Sequence, residues 1–427
     1  MPQSERLYYA DSFLKSFTGT VADARQRADG NGEPAWRLSL NRTAFYPTSG
    51  GQPFDLGSLR VSSPGSAALE IPVEEVAEDD GGSVWHFVRQ PLEPGTQVEG
   101  HIDWNRRFDH MQQHTGQHLL SAVFLREGQA ATVSFHLGQS TSTIDLAVAS
   151  PDRLSLERVE RIANQIIAED RPVTTSYVSR EEAQAMLSSG DLRKLPDREG
   201  AIRLIDIAEC DRNACGGTHV RSTGQIGGLL VRGTEKVSRG VRVEFVCGLR
   251  AIRAARQDSA VLDAMTGLLS TGAPELPAVV KRLLADAKAG AKERERLCGE
   301  LATFQAVQLI ADEPVTQGLR LLVREWKDRD REFVRLLASR TAAAAVSTAV
   351  VFCASDSEPV RVFIARSPDL NFHCGSVLRD ALSRFGLRGG GSPDLAQGDV
   401  PGEHEQALLA AIVDSMRSAA AGHDLTH

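Results

Sequence analysis

FDHMQQHTGQHLLSAVFL, residues 108–125, reads as one helix carrying two histidines. It holds no proline, and Leu119, Leu120, Val123 and Phe124 form an apolar stripe along one face. His114 and His118 stand one helical turn apart, so both imidazoles leave the same side. Further on, CGGTH (215–219) repeats that spacing with Cys215 and His219. Gly216 and Gly217 argue against a regular helix there, but a tight loop can aim a thiolate and an imidazole at one point. Three imidazoles and one thiolate suit a tetrahedral Zn²⁺, one per chain. Four protein ligands lean towards a structural ion, because a catalytic zinc keeps one position for water. The bland alternative is that each pair is incidental. His110, four residues before His114, is a competing ligand.

Two other stretches carry polar groups in suggestive places. TAFYPTSGGQP (43–53) is a glycine-rich turn whose Thr43, Ser49 and Gln52 can hydrogen-bond a small polar group, while Gly50 and Gly51 admit close backbone approach. TVSFHLG (132–138) alternates as a strand does, which sends Ser134 and His136 to one face, where they could polarise a carbonyl or hold a water.

Around these motifs the chain reads as an α+β multi-domain protein. Residues 1–95 show short alternating runs, Trp36 to Leu40 and Val84 to Val88, between the breakers GNGEP (30–34), PTSGGQP (47–53) and EDDGG (78–82). A small β-barrel or sandwich fits them. Residues 96–250 mix helix and strand, including an amphipathic helix from Ser155 to Glu169 capped by Asp152 or Ser155. Residues 251–314 read as a helical linker, and Leu269, Leu283 and Leu297 are candidates for a homodimer interface there. Residues 315–427 read as a C-terminal α/β domain: a helix from Arg320 to Arg340, strands at 348–355 and 360–367, a helix at 375–386, a glycine-rich loop at 388–398 and a last helix at 403–420.

Composition narrows the class. The 427 residues are 41% hydrophobic and 24% charged, with a formal net charge of −8, which is ordinary for a globular protein and unlike a general nucleic-acid coat. No apolar run approaches the about 20 residues that span a bilayer, so no membrane partner is expected. The N-terminus lacks the apolar block of a signal peptide, which gives a cytoplasmic expectation. The six cysteines have no framework spacing and are expected as thiols or metal ligands.

TAFYPTSGGQP, HTGQHLL, VSFHLG and CGGTHV occur in that order. Together they resemble the editing domain of alanyl-tRNA synthetase and, more closely, the stand-alone alanyl-tRNA editing proteins of the AlaX type. LRKLPDREGAIRLIDI (192–207) and TGQIGGLLVRGTEKVSRGVRVEFVCG (223–248) carry the resemblance over roughly residues 5 to 250. FGLRGGGSPDLAQGDV (385–400) resembles the glycine-rich loop of the DHH-associated domain that ends the long members. Neither a class II aminoacylation core nor a DHH phosphoesterase core accompanies these motifs, so the expectation is trans-editing.

The resemblance implies hydrolysis of Ser-tRNA(Ala), and often Gly-tRNA(Ala), with zinc on His114, His118, Cys215 and His219. It implies Thr43, Gln52, Ser134 and His136 at the reacting ester, Thr43 sensing the serine side chain. Ser49, Gly50, Gly51 and Gln117 would bind substrate, although Gln117 stands where synthetases often have threonine. For tRNA phosphates the basic candidates are Arg324, Lys327, Arg331 and Arg388. The competing readings are editing of tRNA(Thr), whose synthetase carries a related domain, and a tRNA-binding module with a purely structural zinc.

Overall fold

The computed structural model describes residues 4–28, 34–62, 68–148, 153–196, 200–238 and 240–421. The chain divides into two compact units between Ala264 and Met265.

Period-two alternation builds the start of the first unit. Strands β1 (Ser16–Ala28), β2 (Pro34–Leu40), β3 (Gly57–Val61), β4 (Leu69–Val73), β5 (Glu75–Glu78), β6 (Val84–Val88) and β7 (Gln97–Ile102) form one antiparallel sheet in the order β4–β3–β7–β1–β2–β6–β5. Strand β4, at one edge, approaches β6 near the other, so the sheet curls to a nearly closed barrel. Leu38, Leu40, Phe45, Leu59, Ile71 and Val76 fill it and are fully buried. The sheet continues past residue 95, because β7 pairs with both β1 and β3. Residues 30–33 of the GNGEP breaker lie outside the described residues.

Asp103 ends the barrel and starts helix α1 (Trp104–Gly128) by accepting the Arg106 N–H at 3.2 Å. This helix is buried from His110 to Phe124 on every side, a wider buried face than the expected apolar stripe. Its polar residues are tolerated inside because most have partners. The Gln113 carboxamide, for example, accepts from the Cys247 N–H (2.9 Å) and donates to the Cys247 carbonyl (3.1 Å).

After α1 come β8 (Thr132–Leu137), β9 (Ser142–Leu146), α2 (Arg153–Ala168), β10 (Val173–Val178), α3 (Arg180–Ser189), β11 (Ile202–Ile207), β12 (Asp211–Ala214), β13 (Leu229–Val237) and β14 (Gly240–Cys247). Two antiparallel sheets result, β8–β9–β14–β13 and β10–β11–β12. Helices α1 and α2 pack with the four-stranded sheet around Leu119, Val123, Ile144, Val243 and Phe245. The proposed cap Asp152 lies outside the described residues, and Ser155 sits inside the helix.

Helices α4 (Leu249–Leu269) and α5 (Leu276–Asp312) cover the expected helical stretch. The second unit then adds β15 (Arg320–Trp326), α6 (Arg331–Ala344), β16 (Thr348–Ala354), β17 (Val360–Arg366), α7 (Cys374–Ser383), β18 (Gly389–Gly391), β19 (Leu395–Val400) and α8 (Gly402–Ala421). Its sheet runs β15–β16–β17–β19–β18, with only β15 and β16 parallel. Strand β16 is buried on both sides: Val350 and Phe352 face α6 and the end of α5, while Val351 and Cys353 face α7 and α8. Such double burial explains its unbroken apolar run TAVVFCA.

Two expectations fail here. Residues 320–340 are not one helix: RLLVREW forms strand β15, and Asp330 starts α6 by accepting the Phe333 N–H at 2.7 Å. The glycine-rich segment is a hairpin of β18 and β19 instead of a loop. Among the described residues no helix is long and apolar enough to cross a membrane.

Candidate metal centre

His114 and His118 come from one face of α1, and Cys215 and His219 from the loop after β12, so all four belong to the first unit. Their ligand atoms lie within 4.8 Å of one another, and no residue of the cluster is more than partly exposed. The Cys215 Sγ stands 3.5 Å from His114 Nε2 and 3.3 Å from His219 Nε2. Tetrahedral zinc with ordinary bond lengths would separate sulfur and nitrogen ligands by roughly 3.6 Å.

Each imidazole is oriented through its other nitrogen. Gln52 Oε1 accepts the Thr218 N–H at 3.1 Å, which fixes the amide, and sits 2.8 Å from His114 Nδ1. His114 therefore carries its proton on Nδ1 and turns the Nε2 lone pair inward. Asp211 Oδ2 lies 3.3 Å from His118 Nδ1 and does the same for that ring. Thr115 Oγ1, which accepts the Val220 N–H, stands 3.1 Å from His219 Nδ1. Oriented imidazoles backed by carboxylate, amide or hydroxyl are the usual support of metal-binding histidines.

Electrostatics favours the ligand forms. Burial holds His219 at about 3, so it is neutral at ordinary pH. Burial alone would raise the Cys215 thiol, but the His114 and His219 imidazoles pull it well below its usual range. A thiolate with neutral imidazoles is the donor set that zinc takes.

The loop has its own support. The buried Arg203 guanidinium donates to the carbonyls of Cys215 (2.7 Å), Gly217 (2.9 Å) and Tyr9 (3.2 Å). Gly217 is needed for approach: a Cβ there would lie 2.1 Å from His114 Cε1 and 3.0 Å from Gln52 Oε1.

The glycine-rich turn reaches the cluster by an unexpected route. Gln52 was expected at the substrate, yet it is fully buried and acts through His114 and Thr218, so it positions a ligand. Ser49, Gly50 and Gly51 form the exposed turn above it, closed by Ser49–Gln52 backbone bonds of 2.9 and 3.2 Å. Gly51 (φ +80°) packs on the Phe135 ring, where a side chain would collide at 2.7 Å.

On β8 the expectation reverses. Phe135 faces the cluster, its ring 5.6 Å from that of His114. Ser134 and His136 are exposed on the opposite face, and Ser134 Oγ bonds Asp145 at 2.7 Å. The period of two was right, and the side presented to the cluster was the odd residue.

Thr43 is fully buried in the barrel: its hydroxyl pairs with His86 Nε2 at 2.8 Å and accepts the Phe45 N–H at 3.1 Å. His86 Nδ1 donates to the Leu38 carbonyl at 3.1 Å, which makes Nε2 the acceptor and uses the Thr43 proton internally. Gln117 lies buried between the two histidines of α1. Its Nε2 donates to Ser121 Oγ at 2.9 Å, and its Oε1 has no partner among the described residues. His110 stays out of the cluster, buried with its Nδ1 unpartnered among the described residues and its pKa lowered by burial to about 3.

Three of the four basic candidates of the second unit are already engaged within the unit. Arg324 lies on a strand and pairs with Glu313 at 3.0 Å, and Lys327 sits 3.6 Å from Glu325. Arg331, at the start of α6, donates to the Pro359 carbonyl at 2.6 Å. Arg388 is exposed.

Comparison with known proteins gives this arrangement a class. Residues 202–243, which carry the Cys/His loop, match the family model described as the threonyl and alanyl tRNA synthetase second additional domain, and residues 1–106 match the one for class II (A) tRNA synthetases. The alanyl-tRNA editing protein Aarsd1 of Rattus norvegicus is 32% identical over 368 residues, 84% of this chain and 85% of that protein. The alanine–tRNA ligase of Pyrococcus abyssi is 32% identical over 419 residues, 94% of this chain but 42% of the ligase, so the chain spans under half of that relative. A solved C-Ala domain from Aquifex aeolicus alanyl-tRNA synthetase aligns with 26% of this chain at 18% identity and TM-score 0.22, too low to establish a shared fold. The chain belongs to the alanyl-tRNA editing protein family.

Apart from Gln52, the residues that support the ligands escaped sequence reading. Asp211, Thr115 and Arg203 lie near the motifs in sequence, and a search for a carboxylate or hydroxyl to back each histidine would have reached Asp211 and Thr115.

Proposed function

We propose that this chain hydrolyses mischarged aminoacyl-tRNA in trans, releasing serine or glycine from tRNA(Ala), with one Zn²⁺ held by His114, His118, Cys215 and His219. The observation that carries the reading is the four-ligand cluster, with every imidazole oriented by a second residue. Membership of the alanyl-tRNA editing family supports tRNA(Ala) as the nucleic acid.

When bound, zinc supplies Lewis acidity to a carbonyl or a water. The protein groups supply position. Gln52 and Asp211 fix the tautomers of His114 and His118. The carboxamide oxygen of Gln117 is a buried acceptor on the histidine helix with no partner among the described residues, and it suits the hydroxyl of serine or the ammonium of either amino acid. A pocket for alanine cannot reject added polar or missing apolar groups strongly, whereas an acceptor for the serine hydroxyl sorts the products in a second step. Thr43 could serve that sorting only if His86 released its hydroxyl. The exposed Ser49–Gly51 turn forms a rim for the terminal adenosine. Of the four basic candidates, Arg388 has no acidic partner among the described residues, which makes it the candidate phosphate contact.

A closed, buried ligand set also favours a structural zinc in a tRNA-binding module. Stripping zinc with a chelator separates the two readings. Under the editing reading His114→Ala loses both metal and Ser-tRNA(Ala) hydrolysis. Retained metal and full hydrolysis in that variant would refute it.

A further inference from the structure

The loop that carries Cys215 and His219 has a second segment beside it, residues 9–13. A Cβ at Gly216 would lie 3.5 Å from the Tyr9 hydroxyl, Ser12 Oγ accepts the His219 N–H at 3.4 Å, and Asp11 pairs with Arg221 at 3.3 Å. Phe13 then lies beneath Arg221, whose guanidinium carbon stands 4.1 Å from the ring centre. The row of rings continues into the first turns of α1, with Phe13 to Trp104 at 5.4 Å and Trp104 to Phe108 at 5.6 Å. Lys15 closes its other end, its Nζ 4.6 Å from the centre of the Trp104 ring.

The three rings are partly buried against the core of the first unit, and both cations stand in solvent. The Arg221 side chain is 63% exposed, so one side of its guanidinium rests on Phe13 and the other is open. Lys15 makes no ion pair among the described residues. Asp11 offsets one of the two charges and leaves the row positive, in a chain whose net charge is −8. A guanidinium plane held flat on a ring is a seat for a nucleobase, and an unpaired ammonium nearby is a seat for a phosphate. Bases inside a duplex have their faces covered by their neighbours, so this combination fits an unpaired strand.

Position narrows the choice of strand. Arg221 follows His219 by two residues, at most about 7 Å of chain. An ester hydrolysed at the metal centre brings its terminal adenosine there, and the nucleotides before it then pass within reach of Arg221.

We propose that the unpaired 3′ end of tRNA runs over this row into the metal centre. The base next to the terminal adenosine stacks on the open side of Arg221, and Lys15 meets a phosphate further back along the strand. The inference rests on the editing reading above and adds the route by which the ester arrives.

Binding of uncharged tRNA(Ala) to the zinc-loaded full chain tests the route, measured beside the same tRNA lacking its last three nucleotides. Arg221→Ala should weaken the intact tRNA about 5–150-fold, the range for losing one stacked base, and the shortened tRNA no more than about twofold. Arg221→Lys keeps the charge without the plane, so it should retain most of that loss. It also carries the comparison should the alanine variant give up its zinc, which atomic absorption reads. Lys15→Ala should lower the slope of log affinity against log salt by about 1. A wild type that holds both tRNAs equally would overturn the route, as would an Arg221→Lys variant that binds intact tRNA like wild type or loses both tRNAs alike. None of these results touches the editing reading, which stands or falls separately on hydrolysis of Ser-tRNA(Ala) by the wild type.

Discussion

Gln52→Ala is the most informative change in the metal centre. The carboxamide of Gln52 makes three buried contacts: it accepts from Thr218 N–H at 3.1 Å, faces His114 Nδ1 at 2.8 Å and donates to Thr218 Oγ1 at 2.9 Å. Truncation leaves two N–H donors without an acceptor in a fully buried place. At about 1–3 kcal/mol for each unsatisfied donor, the folded state loses about 2–6 kcal/mol. His114 also loses the bond that fixes its tautomer, and a lost partner of this kind lowers metal affinity about 10–100-fold. Urea unfolding measures the first effect, and competition with a chromophoric zinc chelator measures the second. Gln52→Glu keeps an acceptor for His114 and should recover most of the affinity. Zinc affinity in Gln52→Ala within twofold of wild type would refute the orienting role.

Gly217→Ala should lose zinc, since its Cβ would sit 2.1 Å from His114 Cε1, while Gly216→Ala, in ordinary contact with Tyr9 at 3.5 Å, should keep it; zinc content by atomic absorption reads the difference. Phe135→Ala should weaken zinc retention by opening the cluster to water. Ser134→Ala and His136→Ala, on the exposed face, should change it no more than about twofold in the same chelator competition. His86 supplies a pH signature. Burial lowers it from 6.5 to about 4, so below pH 6.5 the unfolded chain binds a proton that the folded chain refuses. The contribution of His86 is therefore full above pH 6.5 and falls by about 3 kcal/mol as pH drops to about 4, a share of the slope that urea unfolding of His86→Gln should lack while the shares of buried His110 and His219 remain.

The sequence carried the ligand pairs because helix geometry alone places His114 and His118 on one side. The strands at 348–354 and 360–366 were equally legible as apolar runs of strand length. What it did not carry depended on tertiary partners. Residues 320–326 looked helical because their charges fit a solvated helix, but pairing with β16 overrode that preference. Alternation on β8 told which residues share a face, and only the packing of Phe135 on His114 and Gly51 told which face meets the cluster. Gln52 and Thr43 looked alike as polar groups in a glycine-rich turn. One is drawn to the histidine and the other to the inside of the barrel, a difference of neighbours far away in sequence.

The central claim is tested most directly by the release of amino acid from Ser-tRNA(Ala), Gly-tRNA(Ala) and Ala-tRNA(Ala), with Ser-tRNA(Thr) alongside, using the zinc-loaded full chain. The account predicts rapid loss of the serine ester from tRNA(Ala), with the alanine ester spared. Stable Ser-tRNA(Ala), bound tightly but not hydrolysed, would contradict it and leave a tRNA-binding protein with a structural metal.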